Sequence, residues 1–124
     1  MSSMFRYCPN ITKLDLSCFD TSLINRMNNM FNNCQKLNDL NVSSFDASSV
    51  VDMGHMFSRC LTLTQIDFTN FDTSSVENFL GMFIGSSFYS LNLKNFNMCS
   101  ALNKVELYIN DLFKLYRKKR LFVD

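Results

Sequence analysis

The sequence predicts an α/β solenoid with 26-residue coils, short parallel strands on one face, short helices behind them, and a C-terminal helix as a cap. Three observations predict it. A Met-Phe dipeptide recurs at Met4-Phe5, Met30-Phe31, Met56-Phe57 and Met82-Phe83, a constant period of 26 residues. Within each period, an alternating apolar segment precedes one whose apolar residues are spaced by three and four. Beyond residue 97 the repeat gives way to a different amphipathic pattern. Self-similarity at a fixed period of this length marks stacked repeats, in which each unit buries its apolar faces only against its neighbours.

The strand is expected at Leu37-x-x-Leu40-x-Val42, with equivalents Ile11-x-x-Leu14-x-Leu16, Leu63-x-x-Ile66-x-Phe68 and Phe88-x-x-Leu91-x-Leu93. Alternation sends Leu40 and Val42 inward and Asp39, Asn41 and Ser43 outward. Asp46-Ala47-Ser48-Ser49 reads as a turn that caps a helix. That helix is expected from Val50 through Met53 and Met56-Phe57 to Cys60. Phe19, Phe45, Phe71 and Phe96 should form an aromatic ladder in the interior.

Residues 1–97 hold four coils, the first incomplete, because Met1 aligns with Met27 and Met53. The fourth coil decays: it is one residue shorter, and Ser86 replaces the cysteine. Residues 98–124 then read as a capping helix with a basic tail. Leu102, Val105, Ile109, Leu112 and Tyr116 line one face, Ser100 supplies the N-cap, and Arg117-Lys118-Lys119-Arg120 ends the helix.

A hydrophobic fraction of 47%, with 13 Phe, supports a packed core. No apolar run is long enough for a membrane helix, and no signal peptide is read at the N-terminus. Residues 1–97 carry a net charge of −2 and the remainder +3, a balance that gives no warrant for nucleic-acid binding or membrane contact. Cys8, Cys34 and Cys60 share one repeat position, which suggests a small apolar slot occupied by free thiols. Zinc needs four ligands around a point, whereas stacked coils offer thiols in a line, so no metal and no cofactor is expected.

The frame Met-Phe-x-x-Cys-x-x-Leu-x-x-Leu-Asp-Leu-Ser-x-Phe-Asp-Thr-Ser is carried by Met4–Ser22, Met30–Ser48 and Met56–Ser74. It resembles the BspA-like leucine-rich repeats, the group that includes the mycoplasma-type lipoprotein repeat. The resemblance implies a leucine-rich-repeat solenoid, no shared catalytic residues, a surface or secreted setting, and an adhesive or protein-binding role.

The expected contact surface is the outward face of the strands: Lys13, Asp15, Asp39, Asn41, Gln65, Asp67 and Asn92, with Ser90 and Lys94 beside them. Asp20, Asp46 and Asp72 fit turns better than a calcium site, since calcium gathers about six to eight oxygens around one ion. His55 has no serine or cysteine placed to form a triad, and the isolated Gly54, Gly81 and Gly85 make no phosphate loop. The expected function is therefore a non-enzymatic interaction module that binds a protein or peptide on its sheet face. The alternative is a truncated or degenerate repeat fragment with a structural role, associating through the uncapped first coil.

Overall fold

Where the three-and-four spacing predicts a helix, the chain instead makes successive tight turns. The computed structural model describes residues 1–89, 91–93, 95 and 96, together with the backbone of 121–122. None of these is helical. From Met27 to Leu37, alternate N–H groups close turns within the repeat: Met30 donates to Met27 O (3.2 Å), Asn32 to Asn29 O (3.1 Å) and Cys34 to Phe31 O (3.1 Å). The N–H groups between them leave the repeat altogether. Asn29 donates to Gly54 O (2.9 Å), Phe31 to Met56 O (2.9 Å) and Asn33 to Ser58 O (2.8 Å). The same alternation links the third repeat to the fourth, through His55 to Leu80 O, Phe57 to Met82 O and Arg59 to Ile84 O.

The backbone dihedrals explain why. Asn29 and Asn33 have φ of 57° and 64°, His55 and Arg59 of 55° and 57°, and Gly81 and Gly85 of 60° and 66°. A right-handed helix cannot pass through a left-handed residue every fourth position. A positive φ at the third residue is instead what a type II turn requires, and Asn and Gly adopt it at least cost. The α/β leucine-rich solenoid with helices behind its sheet is therefore corrected. Apolar side chains spaced by three and four project inward from linked turns as readily as from a helix.

The strands are brief. β1 (Lys13–Asp15) and β2 (Asp39–Asn41) pair in parallel, with Lys13 opposite Asp39, Leu14 opposite Leu40 and Asp15 opposite Asn41. β3 (Leu91–Asn92) pairs in parallel with β4 (Leu121–Phe122). Residues 65–67 of the third repeat, although they carry the same alternation, lie in no strand. Phe68 stands there where other repeats have Leu16, Val42 and Leu93. Its ring is set edge-on to Phe57 at 5.7 Å and Phe71 at 5.0 Å. On the other side of the repeats, Arg26, Asp52 and Asn78 line up through parallel bridges.

The Met-Phe positions form the spine of the core. Phe5, Phe31, Phe57 and Phe83 stack with centroids 5.7, 5.4 and 6.0 Å apart and nearly parallel rings. Phe45 and Phe71 stack at 6.2 Å in a second column, beside which Phe19 and Phe96 are half-buried. The cysteine slot is as expected in position and gains a partner. Cys34 Sγ donates to Phe5 O (3.0 Å) and Cys60 Sγ to Phe31 O (3.2 Å), and the Ser86 hydroxyl takes the same place against Phe57 O. Burial pushes the Cys34 thiol up to about 11 and the Cys60 thiol to about 12, so both remain protonated donors. The expected capping helix, its Ser100 cap, Cys99 and the basic cluster lie outside the described residues.

Candidate functional site

The outward strand residues do share one face, although the structure joins them unevenly. Lys13, Asp15, Asp39, Gln65, Asp67 and Asn92 are exposed, and Asn41 is half-buried between them. Ser90 and Lys94 lie outside the described residues. Parallel register puts Lys13 beside Asp39, with Nζ and Oδ2 2.7 Å apart. The hydrogen bond and charge of Asp39 raise the Lys13 ammonium above its ordinary range. Both groups are open to water, so the pair orders the surface more than it stabilises the fold.

Asp15, Asn41 and Asp67 have a second task. Each accepts the backbone N–H two residues ahead through Oδ1: Asp15 from Ser17 (3.0 Å), Asn41 from Ser43 (3.1 Å) and Asp67 from Thr69 (2.9 Å). These Asx turns end the strand segment and fix the direction of the chain behind it. The bonds from Ser17 hold the Asp15 carboxyl below its usual value, and those from the Thr69 hydroxyl and N–H do so for Asp67.

Asp20, Asp46 and Asp72 repeat the device one turn later, accepting from Ser22 (3.0 Å), Ser48 (2.9 Å) and Ser74 (2.9 Å). They were expected to cap helices; they close Asx turns instead. His55 sits half-buried in a left-handed turn position shared with Asn29 and Gly81, not on the polar side of a helix. Among the described residues, no group of three His, Cys, Asp or Glu could hold a metal ion. No helix among them is long and apolar enough to cross a membrane.

One feature of this face escaped the sequence. An open groove of about 330 Å³ runs between the second and third repeats, lined by Asn38, Asp39, Leu40, Gln65, Ile66 and Asp67. Before and after this segment in the chain, side chains tie the two repeats together: Thr62 Oγ1 donates to Leu37 O (2.9 Å) and Asn70 Nδ2 to Ser43 O (3.3 Å).

Turns closed within each 26-residue period are hydrogen-bonded in register to those of the next, with a polar strand face on one side. A family comparison places the chain more closely. Residues 1–118 match the family described as "Mycoplasma protein of unknown function, DUF285", and the chain belongs to that family. Comparison with curated proteins gave no match, and comparison with solved structures gave none.

Proposed function

We propose that this chain is a non-enzymatic interaction module of the BspA-like kind, holding a protein partner on the strand face in an adhesive or surface setting. The observation that carries the reading is the polar row itself. Lys13, Asp15, Asp39, Gln65, Asp67 and Asn92, exposed, with Asn41 half-buried among them, are displayed by a core whose other seam is occupied by hydrogen bonds between repeats. A scaffold that presents hydrogen-bonding side chains in a row on one face suits recognition of another polypeptide.

The test is binding of the full chain to an array of purified matrix and cell-surface proteins, compared with an Asp39→Lys/Gln65→Lys variant that leaves the Asx turns of Asn41 and Asp67 in place. Retention by the parent and loss by the variant, at unchanged circular dichroism, is expected. Equal retention by both would remove this face as the site.

A second reading rests on the first repeat. Phe5, Cys8, Ile11 and Leu14 are only partly buried, and Met4 is 50% exposed, whereas Phe31, Cys34 and Leu37 in the next repeat are closed off. This outer face can support self-association. Sedimentation velocity across a hundredfold concentration range should show it as a shift that Phe5→Glu abolishes, and concentration-independent sedimentation would dismiss it.

A further inference from the structure

The groove between the second and third repeats is an interruption in hydrogen bonding as well as in shape. Asp39 N–H donates to Thr12 O (3.2 Å), and Asn41 O accepts from Leu16 N–H (2.9 Å), so residues 39 and 41 face β1. Alternation along a strand then turns the N–H and C=O of Leu40 the opposite way, toward the third repeat. Residues 65–67 do not pair with β2, and Leu40 has no backbone partner on that side among the described residues. Its side chain is half-buried and Ile66 opposite is 8% exposed, so the floor is apolar while the rim is polar. Buried or half-buried backbone groups left unpaired are costly, and a bound strand segment can satisfy them.

The rim also states a charge preference. Asp39 and Asp67 flank the opening, and Asn38 and Gln65 add amides. Asp67 engages Oδ1 with Thr69, and its other oxygen has no partner among the described residues. The cation beside Asp39 is Lys13 of the chain itself, exposed and exchangeable. A volume of about 330 Å³ is at the small end of ligand pockets, roughly 300–1,000 Å³, which suits a short stretch of chain.

We infer that this groove is the seat of a short extended peptide segment of basic character, its backbone pairing with Leu40 and its Lys or Arg side chains reaching Asp39 and Asp67. The inference rests on the strand-face reading above and names where on that face the partner sits and what chemistry it carries.

The experiment is an NMR titration of the full chain with the blocked pentapeptide Ac-Lys-Val-Lys-Val-Lys-NH2. Controls are its Glu counterpart and a version N-methylated at both Val. Shifts centred on the Leu40, Gln65 and Ile66 amides are expected. Affinity should fall on the order of tenfold with either control, about the value of one hydrogen bond to a charged or buried partner. Asp67→Asn should weaken binding, and Lys13→Ala should strengthen it by freeing Asp39, a gain that no loss of folding can imitate.

Three results would overturn the inference. One is the absence of shifts at Leu40 and Ile66. A second is equal binding of the N-methylated peptide. The third is a Leu40 amide as slow in hydrogen exchange as those of Asp39 and Asn41 in the free protein. Shifts confined to Asp15, Asn41 and the outer face would remove the groove and leave the strand-face reading standing. Failure of the parent chain on the matrix array would count against that broader reading by a separate probe.

Discussion

Replacing Phe57 by Ala should be the most damaging truncation in the chain, and its cost can be worked from its neighbours. Phe57 is fully buried. It stacks on Phe31 at 5.4 Å and Phe83 at 6.0 Å, and meets Phe68 and Phe88 edge-on at 5.7 and 6.2 Å. Phe→Ala in a core costs about 3–5 kcal/mol, the larger values arising where surroundings cannot collapse. Collapse is hindered here, because Phe57 N–H is held by Met82 O (2.9 Å), and Phe57 O accepts from Cys60 N–H (3.3 Å) and from the Ser86 hydroxyl. We therefore expect a loss of about 4–5 kcal/mol. Phe5 occupies the equivalent position with one stacked neighbour and a partly open face, so Phe5→Ala should cost only about 1–2 kcal/mol. Urea denaturation followed by circular dichroism measures both. Because about 5 kcal/mol can equal the whole stability of a small domain, Phe57→Leu provides a milder series expected at about 1–3 kcal/mol. Equal costs for Phe5→Ala and Phe57→Ala, or a Phe57→Ala loss below about 1 kcal/mol, would refute the stacked spine.

Gly81→Ala should destabilise more than Gly85→Ala. Both have positive φ, worth about 1–2 kcal/mol for a side chain, but a Cβ at Gly81 would fall 2.5 Å from the His55 ring and one at Gly85 only 3.5 Å from Arg59. His55→Gly should rescue part of the Gly81 loss in a double-mutant cycle of thermal midpoints, and no rescue would contradict the contact. The buried thiols should make stability fall at alkaline pH. Their unfolded value is 9.0 and the folded values are about 11 for Cys34 and about 12 for Cys60, so the contribution is intact below pH 9 and is lost as pH rises through 11 to 12. Cys34→Ser/Cys60→Ser should flatten that limb of the denaturation midpoint against pH. The carboxylates of Asp20, Asp46 and Asp72 are held below 3.8 by the N–H and hydroxyl groups of Ser22, Ser48 and Ser74. Their stabilisation is present above that pH and lost below it. Asp46→Asn, which still accepts the N–H, should keep the fold and reduce the acid limb.

The period and the buried frame were legible, because they depend on chain spacing and on which residues avoid water. Met30, Phe31, Cys34 and Leu37 are buried as the repeat demands. The turns share the apolar spacing of a helix for a definite reason. Turns closed by i to i−3 bonds bring apolar residues inward at the same spacings that a helix does, so periodicity alone does not separate the two. The distinguishing signal was Asn29 and Asn33 falling at the positions of Gly81 and Gly85, four residues apart, where left-handed backbone is favoured. The Asx turns were also readable in Asp15-x-Ser17, Asn41-x-Ser43 and Asp67-x-Thr69, although spacing made them look only like surface. The groove was not readable. Residues 39–41 and 65–67 have the same polarity pattern, so nothing in the residue types marks the break in pairing between them.

The two seams between repeats differ in how completely their backbone is used, and that difference argues where function resides. Along the turn seam from Asn29 to Cys34, alternate N–H groups close local turns and those between them bind the next repeat, so each N–H is used. Binding a partner there would require breaking bonds that hold the core together. Along the strand seam, β1 and β2 are joined, but the ladder stops before the third repeat and resumes only as side-chain pins at Thr62 and Asn70. A partner can add hydrogen bonds at that break without removing any. The same stack that makes Phe57 intolerant of change thus leaves Leu40 without a backbone partner toward the third repeat among the described residues.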